Sequence, residues 1–302
     1  YKPSEVAADT GAFLTKLLAE SGLPSGVFGL IQGDGQTGDA LLRQNLDGIF
    51  FTGSTATGRK LAQTAASKLI PVQLELGGKD PIYVTKDVDL ESIVAGVADG
   101  AFYNCGQSCC AVERIYVEAS LYEEFCERFC EVVSGYAIGD PMDAQTYIGP
   151  QAREANIATL ERQVADAVEK GATLRTGGQR AEGAGFFFEP TVLTGVNHEM
   201  EVMRDESFGP IIGIQSVQND HEAVTLMNDT AYGLTAGIFC RSRSRVEPLL
   251  KRLNAGSVYA NCCDRVSPRL PWTGRGQSGL GVTLSTMGID CFLQPKAWHL
   301  RI

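Results

Sequence analysis

The chain has 302 residues, of which 44% are hydrophobic, so it can bury a large core and is expected to divide into two domains. Its 26 basic and 36 acidic residues give a formal net charge of −10, which argues against nucleic acid or an anionic membrane surface as a partner. No apolar stretch approaches the length of a membrane span, and no signal-peptide pattern opens the sequence.

The first part of the chain alternates helices with short apolar strands. A helix capped near Ser4 is predicted to stop at Gly22. The elements predicted after it are strands over residues 27–31, 48–51 and 72–76 and helices over residues 38–43 and 56–68. Such alternation indicates a parallel sheet with right-handed crossovers. We therefore expect an α/β fold that opens with part of a Rossmann-like, dinucleotide-binding sheet.

A turn rich in glycine and serine, G-S-T-A-T-G at 53–58, joins a predicted strand to a helix. It matches neither the G-x-G-x-x-G fingerprint nor a P-loop, since the terminal lysine of the latter is absent. Backbone N–H groups at the positive end of a helix nevertheless suit a pyrophosphate. An ordinary capped turn remains an alternative, because such turns are common in α/β folds.

The second part of the chain repeats the alternation of strands and helices. Strands are predicted over residues 81–84, 115–117, 186–190, 209–217, 236–240 and 257–261, and helices over residues 88–103, 121–133, 153–170 and 220–228 and just before Asn254. The helix over residues 153–170 is expected to bury Ile157, Leu160, Val164 and Val168. Residues 267–281 are predicted to form a long loop, which is more often functional than filler.

Nine cysteines occur, at positions 105, 109, 110, 126, 130, 240, 262, 263 and 291. An odd number with two adjacent pairs is a poor disulfide framework and favours a reducing compartment. We expect a cytoplasmic protein, with a mitochondrial location as an alternative. There is no C-x-x-C, and the three histidines lack ligand spacing, so no metal site is predicted.

Two stretches carry the chemistry. The segment F-Y-N-C-G-Q-S-C-C-A-V-E-R at 102–114 places three cysteines on a connection between a predicted helix and a strand, where the scaffold holds a thiol open to a ligand. The segment E-L-G-G-K at 75–79 places a carboxylate before two glycines, which allow the backbone to approach another group closely. A thiol nucleophile served by Glu75 as base is the hypothesis; inert packing of the cysteines and a backbone-bonded Glu75 are the alternatives.

These motifs carry a resemblance to a known family. L-E-L-G-G-K followed by G-Q-x-C, together with F-T-G-S-T at 51–55, E-S-F-G-P at 206–210 and P-W-x-G at 271–274, resembles the aldehyde dehydrogenase superfamily over essentially the whole chain. Family members normally begin further upstream, so the chain is expected to be N-terminally incomplete. The asparagine of the family's oxyanion hole would lie in that upstream part, so these 302 residues alone are predicted to be inactive.

The resemblance implies a division into three parts. Residues 1–77 would be the remainder of the dinucleotide-binding domain, residues 78–277 an α/β catalytic domain, and residues 278–302 a return segment with an oligomerisation strand. A strand over residues 292–300 would join the sheet of a neighbouring subunit and produce a homodimer or homotetramer.

The resemblance also implies the activity. An aldehyde would be oxidised to a carboxylic acid through a cysteine thiohemiacetal and thioester, with Cys109 as nucleophile because it occupies the G-Q-x-C position, and with Glu75 activating the hydrolytic water. The implied cofactor contacts are Lys2, Glu5, Gly35, Gly53, Ser54, Leu76, Glu206 and Phe208. The implied substrate-pocket residues are Trp272 and Cys110. The carboxylate of Glu5 would repel a 2′-phosphate, which favours NAD over NADP.

Two other hypotheses compete with that of an aldehyde dehydrogenase. A non-catalytic relative acting as a structural or binding protein would not need Cys109 or Glu75. A Cys–His hydrolase would need a histidine near the thiol, and none of the three lies in a suitable motif. The sequence also departs from the family at Thr283, where many relatives have a glutamate, so a proton relay at that position is doubtful.

Overall fold

The structure, a computed structural model, describes residues 1–181, 183, 185–263 and 265–301. It forms two compact units, one of Tyr1–Ile49 with Leu61–Pro71 and one of Phe50–Lys60 with Val72–Ile302. The boundaries of these units do not coincide with the domain boundaries predicted after residues 77 and 277. The division into cofactor-binding, catalytic and oligomerisation segments therefore stays a prediction about function.

The first unit is mainly helical. Helix α1 spans Ala8–Glu20 and follows a 3₁₀ turn over Glu5–Ala7, and α2 spans Gly35–Leu42. The carboxylate of Asp34 accepts hydrogen bonds from the amides of Gln36 and Thr37 at 2.9 and 3.3 Å, so α2 begins earlier than predicted. Ser4 makes no side-chain capping bond, contrary to the prediction.

The predicted strand over residues 27–31 is wrong. The segment shares only two backbone hydrogen bonds with Tyr1, from Ile31 N to Tyr1 O at 2.9 Å and from Tyr1 N to Gly29 O at 2.6 Å. Val27 and Ile31 are exposed. An apolar run becomes a strand only where a neighbouring strand offers a ladder of hydrogen bonds and a face to bury.

The second unit contains a seven-stranded sheet in the order β5-β6-β7-β4-β3-β8-β9. Its strands are β3 (Asp80–Val84), β4 (Val112–Glu118), β5 (Thr173–Thr176), β6 (Thr191–Thr194), β7 (Ile211–Val217), β8 (Thr235–Phe239) and β9 (Ser257–Ala260). All neighbours pair in parallel except β5, which is antiparallel to β6. The predicted α/β class with a parallel sheet is confirmed.

Helices cover both faces of this sheet. They are α4 (Leu90–Phe102), α5 (Tyr122–Ser134), α6 (Glu154–Glu169), α7 (Glu201–Arg204), α8 (Asp220–Asn228) and α9 (Arg243–Leu250). A further helix, α10 (Ser285–Asp290), buries no residue. Side chains of β4 alternate between the two cores: Tyr116 packs with α6 and α8, whereas Ile115 and Val117 pack with α4 and α5. Because both faces are covered, every residue of β4 is buried, and its three charged side chains, Glu113, Arg114 and Glu118, form hydrogen bonds or ion pairs.

A small second sheet carries one of the predicted catalytic residues. It consists of β1 (Ile49–Thr52), β2 (Val72–Glu75) and β10 (Gly279–Leu280) in the order β1-β2-β10, and helix α3 (Thr55–Lys68) follows β1. β10 is antiparallel to β2, with Gly279 opposite Glu75. The stretch predicted as a loop over residues 267–281 thus contributes a short strand.

Three further predictions need correction or stay open. The strand predicted over residues 186–190 is not formed: Phe188 makes an isolated bridge with Arg180, and strand β6 begins after this segment, at Thr191. Val168 is 46% exposed rather than buried. Residues 292–300 form no strand within the described chain, so pairing with another subunit stays a prediction. Among the described helices, none is both long and apolar enough to cross a membrane.

Candidate active site

The sequence motifs meet because parallel strands begin at the same edge of a sheet. The segments that precede β3, β4 and β7 are residues 75–79, 107–111 and 206–210. β4 pairs with β3 on one side and with β7 on the other. Three motifs that are far apart in sequence therefore lie side by side at the amino edge of the sheet.

The cysteine-bearing loop reverses sharply after α4. Asn104, Cys105 and Gly106 have φ values of 49°, 59° and 66°, so three successive residues adopt the left-handed conformation. A Cβ at Gly106 would lie 2.2 Å from the carbonyl oxygen of Gly209, so only glycine fits there. This reversal returns the chain to the start of β4 and places Cys109 at the sheet edge.

Two side chains anchor this loop to residues 149–152. The thiol of Cys105 donates to the carbonyl of Gly149 at 3.3 Å and accepts from its amide at 3.1 Å. The Gln107 side chain donates to the carbonyl of Pro150 at 3.3 Å and accepts from the amide of Ala152 at 2.8 Å. Cys105 is therefore a packing residue, and the glutamine of the G-Q-x-C motif fixes the loop.

Cys109 is half-buried and closely packed by the 75–79 segment. A Cβ at Gly78 would lie 2.4 Å from the carbonyl oxygen of Cys109, which explains the second glycine of that segment. A hydrogen bond with the Cys110 side chain lowers the pKa of the Cys109 thiol below its usual value, against burial and the charges of Asp80, Glu75 and Glu206. Glu75 and Cys109 therefore lie within electrostatic range of each other.

Cys110 is buried beneath the loop. Its sulfur lies 3.4 Å from the hydroxyl oxygen of Ser108, which in turn accepts a hydrogen bond from the Tyr103 hydroxyl. The side chain thus belongs to a small polar cluster under Cys109. A direct contact between Cys110 and a substrate stays a prediction.

Glu75 is the last residue of β2 and its carboxylate is half-buried. Its Oε1 accepts a hydrogen bond from the Thr283 hydroxyl at 3.2 Å. Its Oε2 is buried and has no hydrogen-bond partner among the residues that the structure describes. Burial raises the pKa of Glu75, and the Thr283 hydroxyl opposes that shift. A half-buried carboxylate with a raised pKa is suited to act as a general base.

Trp272 belongs to the same part of the site through the backbone. Its amide donates to the carbonyl of Thr283 at 2.7 Å, and the amide of Thr283 donates back to the carbonyl of Trp272 at 2.8 Å. This isolated antiparallel bridge places Thr283 against Glu75. The role of the half-buried indole in lining a substrate entrance stays a prediction.

Glu206 lies over the two glycines of the 75–79 segment. Its Oε1 accepts from the amide of Gly78 at 3.1 Å, and a Cβ at Gly77 would lie 2.4 Å from its Oε2. Burial, aided by the charge of Glu113, raises the pKa of Glu206 to about 7. Phe208, two residues later, has a φ of 49° and is 39% exposed, so its ring is available to a ligand.

A buried ion pair that the sequence analysis did not identify links the 75–79 segment to residues 207 and 208. Lys79 donates to Glu113 at 2.6 Å and to the Ser207 hydroxyl at 2.9 Å. Glu113 also accepts from the amides of Ser207 and Phe208 at 2.9 and 3.0 Å. The signal was present, since the adjacent charged residues Glu113 and Arg114 in the run V-E-R-I-Y-V must find partners when buried.

Gly53, Ser54 and Leu76 also lie in the second unit. The amide of Gly53 donates to the carbonyl of Glu75 at 3.0 Å, and the Ser54 hydroxyl accepts from the amide of Thr57 at 3.3 Å, capping α3. A Cβ at Gly58 would lie 2.5 Å from Leu76, which is buried. The exposed start of α3 therefore adjoins the end of β2 that carries Glu75, which fits an anionic cofactor group.

The remaining predicted cofactor residues lie in the first unit. The Lys2 ammonium donates to the carbonyl of Gly33 at 2.7 Å and to that of Pro3 at 2.8 Å. Glu5 is exposed and starts the 3₁₀ turn, and Gly35 is the first residue of α2. Their roles in cofactor binding stay predictions.

Comparison with known proteins gives one family. The profile of the aldehyde dehydrogenase family matches residues 1–298. The peroxisomal aminoaldehyde dehydrogenase 1 of Pisum sativum is 38% identical over 299 residues, which cover 98% of this chain and 59% of that protein.

Solved structures agree with this match. A structure described as an E. coli NADP-dependent enzyme has a TM-score of 0.94 and 35% identity, covering 97% of this chain and 61% of that one. The betaine aldehyde dehydrogenase of Staphylococcus aureus, solved in complex with NAD+, has a TM-score of 0.92 and 32% identity, covering 96% of this chain and 59% of that one. The chain spans less than two thirds of the length of each of these three proteins.

Proposed function

Because the chain belongs to the aldehyde dehydrogenase family, we propose that the whole protein oxidises an aldehyde to a carboxylic acid with NAD, through a covalent intermediate on Cys109. One observation carries the proposal. A thiol of lowered pKa and a carboxylate of raised pKa lie in one neighbourhood at the sheet edge. A nucleophile and a base need these opposite shifts.

Cys109 performs the first half of the reaction. Its thiolate adds to the carbonyl carbon of the aldehyde, so a C–S bond forms and the carbonyl electron pair moves to oxygen as an alkoxide. Bound NAD+ supplies an acceptor for the hydride that leaves this carbon when the alkoxide collapses. Cys109 then holds the acyl group as a thioester.

Glu75 performs the second half. Its carboxylate accepts a proton from water while the water oxygen adds to the thioester carbon. The C–S bond then breaks, which releases the carboxylic acid and restores the Cys109 thiolate. Since only the ionised carboxylate can accept the proton, the hydrolysis rate falls as the pH falls through the raised pKa of Glu75.

The cofactor would be held by residues from several segments. Gly53 and Ser54, at the start of α3, suit the pyrophosphate, and Leu76 packs below this turn. Glu206 and Phe208 suit the nicotinamide ribose and ring. Lys2, Glu5 and Gly35 would contact the adenosine part, where the acidic side chain of Glu5 favours NAD over NADP. Measuring turnover with both cofactors tests that preference.

We predict that NAD+ affinity depends on the ionisation of Glu206. Its pKa of about 7 leaves the carboxyl largely protonated in mild acid, and a protonated carboxyl is a weaker acceptor for ribose hydroxyls. Lowering the pH from about 8 to about 6 should weaken NAD+ binding about tenfold. Calorimetry on the full-length protein measures this. Glu206→Gln should bind weakly and without this pH dependence; an equal slope in that variant would contradict the role.

The activity itself is tested with a panel of aldehydes. Full-length protein is incubated with NAD+ and aliphatic, aromatic, amino- and semialdehydes, and NADH formation is recorded. We expect at least one aldehyde to support catalytic turnover with release of the carboxylic acid. Absence of NADH formation with every aldehyde, while NAD+ still binds, would favour a non-catalytic binding protein.

A Cys–His hydrolase receives no support. Among the described contacts, both ring nitrogens of His198 are occupied, one with the Tyr116 hydroxyl at 2.7 Å and the other with Asp229 at 2.7 Å. His198 is therefore fixed in a separate cluster. Its geometry indicates a structural role.

We further propose that the full-length protein is a homodimer or homotetramer, joined in part by residues 292–300. Phe292, Leu293, Trp298 and Leu300 are between 65% and 74% exposed in the single chain, which supports an interface there. Light scattering that detects only monomers would refute this proposal. A cytoplasmic location and the inactivity of the 302-residue chain alone stay predictions.

A further inference from the structure

The Thr283 hydroxyl donates a hydrogen bond to the Glu75 carboxylate, with 3.2 Å between Thr283 Oγ1 and Glu75 Oε1. The same hydroxyl oxygen lies 3.4 Å from the carbonyl oxygen of Trp272. One hydroxyl proton is thus shared between two acceptors.

The backbone holds Thr283 independently of its side chain. Its amide and carbonyl are both bonded to Trp272, at 2.8 and 2.7 Å. The neighbouring strand β10 fixes the same connection on β2, where Gly279 lies opposite Glu75. Thr283 therefore stands on a rigid support, and removal of its hydroxyl should not displace the loop.

We propose that Thr283 is a positioning residue for Glu75, whose hydroxyl holds the carboxylate through Oε1 in the orientation that accepts a proton from the hydrolytic water. The inference rests on the proposed function, because it assigns a role within the same site. It is carried by the contact between Thr283 Oγ1 and Glu75 Oε1 at 3.2 Å and by the backbone bonds that hold Thr283 against Trp272.

The hydroxyl also sets the pH range in which Glu75 works. A donor to a carboxylate stabilises its charged form, so Thr283, followed by the Trp272 and Gln73 side chains, lowers a pKa that burial has raised. The titratable group that faces Glu75 across the site is the Cys109 thiol, which is itself close to Asp80 and Glu206. No cation among these groups would replace the effect of the hydroxyl.

The test compares hydrolysis of the acyl-enzyme as a function of pH in full-length protein carrying single substitutions. Thr283→Val is nearly isosteric and lacks the donor, whereas Thr283→Ser keeps it. We expect the acid limb of the hydrolysis rate to move upward by about one pH unit in Thr283→Val and to stay in place in Thr283→Ser. The rate of acylation, seen as the initial burst of NADH, should be unchanged in both.

A matched control lies in the same loop. The Thr273 hydroxyl donates to the carbonyl of Gly281 at 2.8 Å, so Thr273→Val removes a comparable bond that does not involve Glu75. An acid limb that stays in place in Thr283→Val, or that moves equally in Thr273→Val, would overturn the positioning role. Normal hydrolysis in Glu75→Gln would instead refute the proposed function, so the two failures are distinguishable.

Discussion

Replacement of Cys109 by serine is expected to reduce aldehyde-dependent NADH formation by about 10³-fold or more. A serine hydroxyl has the same shape but is far less acidic and less nucleophilic than a thiol. The surroundings of Cys109 cannot compensate, because its strongest favourable contact is with the Cys110 side chain and the nearby carboxylates oppose a negative charge. The variant should therefore bind both ligands without forming the thioester.

Steady-state NADH formation and intact-protein mass spectrometry test this expectation together. The unaltered protein should gain the mass of an acyl group when NAD+ and an aldehyde are added, and Cys109→Ser should not. Cys291→Ser is a suitable control, because this residue lies near the C-terminal end of the sequence. Its sulfur donates to the carbonyl of Gly288, which a serine hydroxyl can also do. Retention of turnover in Cys109→Ser would exclude a covalent mechanism at this residue.

Replacement of Glu75 by glutamine should have the second largest effect and a different signature. The amide keeps the shape of the side chain but cannot accept a proton from water, so hydrolysis of the thioester should slow by about 10²- to 10⁴-fold. Acylation does not require this base. One equivalent of NADH per active subunit should therefore form quickly, after which turnover nearly stops and the acyl-enzyme accumulates.

Rapid-mixing measurements of the NADH burst and mass spectrometry of the trapped acyl-enzyme distinguish this result from general damage. Glu91→Gln provides the control, because Glu91 is an exposed carboxylate in the first turn of α4. Its burst and steady-state rate should match those of the unaltered protein. Loss of the burst in Glu75→Gln would assign Glu75 to acylation rather than to hydrolysis and would contradict the proposed role.

Both expectations depend on the same architectural feature. Cys109, Glu75 and Glu206 come from segments that precede or enter neighbouring strands, and parallel pairing of β3, β4 and β7 brings those segments to one edge. Glycines at positions 78 and 106 allow the backbones to approach to distances that a Cβ would prevent, and Gly77 leaves room for the carboxylate of Glu206. The site is therefore assembled by close backbone contacts, which hold the reactive side chains in place.

Some helices could be predicted from the sequence because their capping residues and apolar periodicity agree with their burial in the structure. The helix predicted over residues 220–228 is observed as Asp220–Asn228, where Asn219 caps it by accepting from the amides of His221 and Glu222. The strand over residues 27–31 and the one over residues 186–190 failed. In both segments apolar composition was present, but a continuous partner strand was not, and pairing is a long-range property.

The sequence by itself determined the family resemblance, the parallel α/β class and the identity of the candidate nucleophile and base, because these follow from local motifs and hydrophobic periodicity. The tertiary structure alone decided which other groups surround and support these two residues. The buried pair of Lys79 and Glu113 and the contact of Thr283 with Glu75 join residues 34 and 208 positions apart. Such contacts depend on the order of the strands and on the path of the connecting loops, which local sequence patterns do not encode. Once the chain has folded, the energetic cost of unpaired buried charges and donors makes these contacts specific.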